Sequence, residues 1–302
     1  MVCVLKMMTP RQLGEDALVD RLTVLLASGP GVLEGPGDDC AVVEGPGDGW
    51  VTVLKTDCLV EGVHYLPGTP GEKVGWKAVA RVVSDFAAMG AELGHLLVTM
   101  AVPGDREVEW LEGLYRGMNE CAVRFGGSIV GGETSSLPEG VPLLISVAGS
   151  GRVKRDGWVR RGDGKPGDGL YVTGRLGGSI RGKHLEFLPR MEEAQWLVEH
   201  CALRAMMDLS DGLAKDLPRM AKASGCGFRL EREAVPCTDG VGVEEALGDG
   251  EDYELLFAVE DGGDWEKEWA ERFPDLEVTR IGELCEGEAG SLDGGWDHFG
   301  RG

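Results

Sequence analysis

The chain has 302 residues, 42% of them hydrophobic, and a formal net charge of -22. That size supports one large domain or two ordinary ones, and the acidic balance argues against a nucleic-acid face, which needs clustered Lys and Arg. Small anionic ligands stay open, because bound metal ions invert a local field. No stretch reaches about 18 apolar residues, so no membrane span is expected.

Thr9-Pro10 followed by Leu13, Ala17, Leu18, Leu22, Leu25 and Leu26 at helical spacing predicts a helix over 9–28. A Gly- and Pro-rich run then leads into Ala41-Val42-Val43, and VTVLKTD at 51–57 predicts a strand ending at Thr56-Asp57. Residues 73–93 read as the clearest helix, with Trp76, Val79, Val82, Val83, Phe86 and Ala87 near one side. A strand over 95–102 and a helix over 105–125 follow, the latter with an acidic first turn and Arg124 near its end, as the helix dipole favours. SIVGGET at 128–134 reads as a short strand with a glycine turn, and 142–153 as another strand. The polar, turn-rich GWVRRGDGKPGD places a boundary near 150–167, giving domains over 1–150 and 151–302. The second half restarts with LYVTG at 170–174, then helices around 190–205 and 212–224, a strand at 253–259 and a Gly-rich tail from 286. The pattern is mixed α/β (α+β) in two domains.

The eight cysteines, at 3, 40, 58, 121, 201, 226, 237 and 285, are dispersed with no CxxC pair. In a chain long enough for a real core they read as reduced thiols, and a cytoplasmic location is expected. Lys6 is not followed by an uninterrupted apolar segment with a cleavage site, so no signal peptide is expected.

Acidic residues recur in glycine-flanked or strand-edge settings: GPGDDCA, LKTDCLVEGVH, VVSDFAAMGAE, VGGETSS and MDLSDGL. Burying one carboxylate without a partner is costly, and burying several is worse. Mg²⁺, which binds through carboxylates and substrate phosphates, explains such a set. Each position also has an ordinary reading. Asp38-Asp39 beside Gly37 fits a solvated Asx turn, Asp211 fits a helix cap, and Glu251-Asp252 fits a charged strand entry. Asp85 is harder to dismiss, because Val82, Val83, Phe86 and Ala87 surround it on a helix. Lys55 and Thr56 place a cation and a hydroxyl beside Asp57, and His64 follows seven residues on. Arg160 and Arg161 suit bidentate phosphate contact. Trp296 and Phe299 are aromatics in a tail with little other apolar content. GGSIRGKH at 177–184 has Gly-x4-Gly-Lys spacing, but His184 replaces the Ser or Thr of a P-loop, so a plain glycine turn is expected.

Together GPGDDCAVV, KTDCLVEGVHY, SDFAAMGAE, GKPGDGLYVTG, MDLSDGL, DGEDYELLF and GGWDHF resemble, in order, the thiamine-monophosphate kinase family. That family sits in the superfamily of aminoimidazole ribonucleotide synthetase and selenophosphate synthetase. The resemblance implies ATP-dependent phosphorylation of thiamine monophosphate with several Mg²⁺ ions. It also implies a homodimer whose N-terminal sheets join into a barrel; composition, as above, predicts no nucleic-acid or membrane partner. By position it implies metal roles for Asp38, Thr56, Asp57, Asp85, Glu133, Asp208 and Asp211. ATP contacts would come from Tyr115, Gly132, Arg161 and Ser210, and thiamine-phosphate contacts from His64, Glu251 and Trp296. No side chain is expected as a covalent nucleophile. The chain departs from the family pattern at Glu133, where Asp is usual, and at Asp249, where Gly is usual. The competing expectations are a sister ATP-dependent synthetase, weakly echoed by Cys3 with Lys6, and a nucleotide-binding homologue that has lost activity.

Overall fold

The computed structural model describes residues 8–45, 47 and 49–300, so Cys3 and Lys6 lie outside the described residues. The elements run α1 (Pro10–Leu13), α2 (Glu15–Thr23), β1 (Val32–Glu34), β2 (Ala41–Glu44), β3 (Trp50–Val60), α3 (Gly71–Ala88), β4 (Glu92–Pro103), α4 (Val108–Arg124), β5 (Ser128–Leu137) and β6 (Leu144–Lys154). They continue as β7 (Gly169–Thr173), α5 (Met191–His200), β8 (Leu203–Asp208), α6 (Leu213–Ala223), β9 (Gly227–Leu230), α7 (Val243–Gly248), β10 (Leu255–Val259), α8 (Trp265–Arg272) and β11 (Val278–Cys285).

Two sheets result. The first has the order β1-β2-β3-β6-β4-β5 and the second β8-β10-β7-β11-β9. The β4–β5 pair is parallel, while the neighbours in the second sheet are antiparallel. In the second sheet both faces are covered. Tyr171 and Phe257 pack into a core shared with α3 and the first sheet, while Leu170, Val172, Leu256 and Ala258 face a separate core with α6. The two-residue pleat explains this division, and coverage of both faces explains why β7 and β10 read as unbroken apolar runs.

Helix α3 lies between the two halves and is buried almost all round. Its approach to α4 depends on Gly75, where a Cβ would stand 2.0 Å from the Leu114 carbonyl oxygen. A helix so enclosed must find partners for its polar residues. Lys77, Ser84 and Asp85 are such residues, and each leads to the site described below.

The expected helix over 9–28 is shorter and broken. Gly14, at φ 82°, separates α1 from α2, and Leu22, Leu25 and Leu26 are exposed. Ion pairs Glu15–Lys215 at 2.9 Å and Asp16–Arg219 at 2.6 Å tie α2 to α6. The helix expected around 190–205 stops at His200, because the chain turns there into β8. Strand β3 runs on past Asp57 to Val60, and β5 is longer than the short strand expected. Among the described residues no helix is long and apolar enough to cross a membrane.

Candidate active site

Three carboxylates converge where the halves meet. Asp39 arrives on the turn before β2, Asp85 on the last turn of α3, and Asp208 as the final residue of β8. All three are buried, and one oxygen of each lies within 4.8 Å of the others. Asp85 Oδ1 is 2.6 Å from Lys55 Nζ, and Asp208 Oδ2 accepts the Ser84 hydroxyl at 2.6 Å. Asp39 Oδ1 accepts the Arg161 guanidinium, while its buried Oδ2 has no hydrogen-bond partner.

Charges this close resist simultaneous ionisation in a buried setting. Burial, reinforced by Asp39, pushes Asp208 up to about 7. Burial also pushes Asp85 well above the usual range, although Lys55 opposes the shift. Burial would lower the Lys55 ammonium, but Asp85 and Asp57 outweigh it and keep the cation protonated. Neighbouring Cys40 stays a neutral thiol, raised by burial and then by Asp85. The donor set is therefore all-oxygen, with one buried carboxylate oxygen uncommitted. That fits a hard divalent cation.

Of the seven expected metal positions, Asp85 and Asp208 stand in this trio. Asp39 joins them where Asp38 was expected. Asp38 folds back on its own turn and accepts its neighbour's amide at 2.8 Å and the Arg161 amide at 3.1 Å. Burial, with Asp39 beside it, raises Asp38 to about 6. Asp57 pairs with Arg81 at 3.0 Å, and Thr56 Oγ1 lies 3.3 Å from Ser146 Oγ. Asp211 pairs with Arg219 at 2.7 Å and Lys215 at 3.1 Å. Glu133 lies exposed on β5, opposite Thr99 of β4.

An open cleft of about 290 Å³ contains four of the expected ligand contacts and one expected metal position, Asp211, while Arg161 does not line it. His64, Ser210, Asp211, Glu251 and Trp296 all line it, joined by Arg81, Tyr253 and His298. His64 Nδ1 accepts the Val60 amide at 3.0 Å, and burial together with Arg81 lowers the ring to about 4, so it is neutral. Its ring lies 5.4 Å from that of His298. Glu251 and Tyr253 have φ of 65° and 52°, a left-handed backbone that costs free energy in non-glycine residues.

Lys77 secures this turn from behind. Fully buried, its Nζ lies 2.7 Å from Glu251 Oε2, 2.5 Å from the His64 carbonyl and 2.8 Å from His184 Nδ1. Burial lowers Lys77 to about 8. Burial alone would raise Glu251, but His184 and Lys77 prevail and hold it down at about 2. Sequence reasoning missed Lys77, although it shows the signal that marked Asp85, a charge among apolar helix neighbours.

Tyr115 is exposed on α4 and Gly132 sits on β5; neither lines this cleft. At Gly132 a Cβ would stand 1.9 Å from the Val98 carbonyl oxygen, so close pairing of β4 with β5 requires glycine. The GGSIRGKH segment makes no phosphate cradle. The amides of Gly177 and Gly178 donate to Asp252 and Asp249 at 2.8 and 2.7 Å, and Lys183 pairs with Glu254 at 3.0 Å.

The two halves match the AIR synthase related protein N-terminal domain over residues 37–153 and its C-terminal domain over 165–295. The fold and the carboxylate-lined cleft thus define an AIR synthase related protein. A thiamine-monophosphate kinase of Rhodopirellula baltica is 36% identical over 281 residues, covering 84% of each chain. One of Escherichia coli is 32% identical over 305 residues, covering 88% of this chain and 91% of that one. The solved structure of AaThiL complexed with AMPPCP and TMP superposes with a TM-score of 0.83 at 30% identity, covering 97% of this chain and 99% of that one. The chain belongs to the thiamine-monophosphate kinase family. A hydrogenase maturation HypE–HypF complex shares the fold alone, at a TM-score of 0.71 and 21% identity.

Proposed function

We propose that the chain transfers the γ-phosphoryl group of ATP to thiamine monophosphate, giving thiamine diphosphate and ADP in one in-line step. The observation that carries this reading is the buried Asp39–Asp85–Asp208 trio beside a cleft lined by His64, Ser210, Glu251 and Trp296. Its family relatives, and the AMPPCP and TMP bound to AaThiL, support the substrate pair.

Phosphoryl transfer depends on positioning and charge stabilisation more than on covalent chemistry by the protein. Mg²⁺ held by Asp39, Asp85 and Asp208 would neutralise phosphate charge as two anions approach. Asp38, Thr56, Asp57, Glu133 and Asp211 are the further metal positions in this reading. Lys55 keeps a permanent positive charge on the flank of the cluster. Glu251, oriented by Lys77 and His184, presents a fixed carboxylate to the cleft, and neutral His64 closes one wall. Trp296 offers a flat apolar face for an aromatic ring. Ser210, Tyr115, Gly132 and Arg161 are assigned to ATP. The acceptor oxygen belongs to a phosphate monoester that is largely ionised at neutral pH, so no general base and no phosphoenzyme are required.

A homodimer is part of the same reading. Strand β5 ends the first sheet exposed along most of its length, and Leu54 of β3, Leu97 of β4 and Val130 of β5 are exposed on the same sheet. A second copy would cover this face and complete a barrel, since exposed apolar edges otherwise invite association. The seven described cysteines are all free, which favours a reducing, cytoplasmic setting.

ADP release with thiamine monophosphate, with thiamine and with no acceptor tests the function. Release that depends on thiamine monophosphate is expected. Equal release in all three would contradict it.

A further inference from the structure

Arg81 is a group in the cleft that none of the roles above uses. It projects from α3 with its side chain 13% exposed. Nη1 donates to the Cys58 carbonyl at 3.0 Å. Nε is buried and aligned with no acceptor, although Asp57 Oδ2 is 3.0 Å away. Nη2 makes no hydrogen bond to any described residue. A guanidinium has five donors in a rigid fork that suits phosphate, and here only one is engaged in an aligned bond.

The rest of the lining sharpens the point. Arg81 is the only arginine or lysine among the residues lining the cleft. The acids there have partners behind the wall. Asp211 has Lys215 and Arg219, Asp249 has the Gly178 amide, and Glu251 has Lys77. Among the side chains that line the cleft, this leaves Arg81 as the cation offered to an anionic ligand, with Asp57 as its own partner at 3.0 Å. Thiamine monophosphate combines a cationic ring with an anionic phosphate. Trp296 suits the ring, and Arg81, beside Asp57 on β3, suits the phosphate.

We propose that Arg81 binds the phosphate of thiamine monophosphate and sets discrimination against unphosphorylated thiamine. This rests on the kinase reading. The test is calorimetric binding of thiamine monophosphate and of thiamine to the wild type, Arg81→Met and Arg81→Lys, with KM values for both substrates. Arg81→Met should weaken thiamine monophosphate by roughly tenfold or more, the scale of one lost charge-assisted hydrogen bond. Thiamine affinity and the KM for ATP should stay nearly unchanged. Arg81→Lys keeps a charge opposite Asp57 but loses the fork, so its loss should be smaller and still confined to the phosphate ester. It decides the matter if Arg81→Met does not fold. Parallel loss of both ligands, or undiminished affinity for thiamine monophosphate, would overturn the proposal while the wild type still binds substrate. A wild type that binds neither ligand would overturn the kinase reading itself, and this proposal with it.

Discussion

Lys55 Nζ stands 2.6 Å from Asp85 Oδ1, so strand β3 supplies a cation to the carboxylate cluster that α3 helps to build. Removing one partner of a buried pair costs about 3–5 kcal/mol, because the other charge is left uncompensated. Lys55→Met should therefore destabilise the protein strongly in chelator. Millimolar Mg²⁺ should restore part of the loss, since the ion supplies the missing charge. Urea midpoints with and without Mg²⁺ measure this, and an equal loss in both conditions would count against a shared metal site.

Asp208 gives the cluster a pH signature. Its folded value is about 7, raised chiefly by burial, whereas an unfolded Asp titrates near 3.9. Below about pH 4 both states hold the proton, and the group contributes no difference. Between about 4 and 7 the unfolded state ionises first, so ion-free stability falls with rising pH, by roughly 1.4 kcal/mol per unit at most. Above about 7 the penalty is constant. Asp208→Asn should lose this slope, melt higher than wild type at pH 8 in chelator, and turn over orders of magnitude more slowly. Melting curves from pH 5 to 8 that run parallel for the two proteins would refute the assignment.

The pair Lys77–Glu251 should behave as a unit. Glu251→Gln leaves a fully buried ammonium without its carboxylate, and a loss of about 3–5 kcal/mol is expected at pH 7. Adding Lys77→Met should recover much of it, giving a strongly non-additive double-mutant cycle. Additive losses in denaturant titrations would show that the two do not act together.

Glu133 lies exposed on β5, so its side chain is not tightly enclosed. Glu133→Asp keeps the carboxylate at this proposed metal position, so turnover and Mg²⁺ dependence should change by no more than about twofold. A large gain in Mg²⁺ affinity would instead show that the longer acid misses an ion it ought to hold.

Much of the fold was legible because α3 and α4 are long and periodic, and because β3, β4 and β6 carry apolar runs between turn residues. Strand β8 was hidden. LRAMMD is short, and its inner residues are covered, so it shows no alternation that separates it from a helix end. The break at Gly14 was equally hard to see, since leucine spacing continues across it, although Leu22, Leu25 and Leu26 face solvent. In the site, Asp85 and Asp208 were marked by apolar neighbours, and the structure brings their oxygens together. Adjacent Asp38 and Asp39 could not be told apart, because the choice depends on which one the turn directs inward. Lys77 and Arg81 were overlooked. Their partners, Glu251 and Asp57, are distant in the sequence, 174 positions away in the case of Lys77.

The most direct measurement of the proposed reaction follows the phosphoryl group itself. ATP carrying radiolabel in its γ-phosphate should pass the label to thiamine diphosphate when thiamine monophosphate and Mg²⁺ are present. With a chiral γ-phosphorus the configuration should invert, as a single in-line displacement requires. Label found only in inorganic phosphate, or no label transfer at saturating Mg²⁺, would contradict the assigned function, and retention of configuration would place a nucleophilic side chain in the reaction.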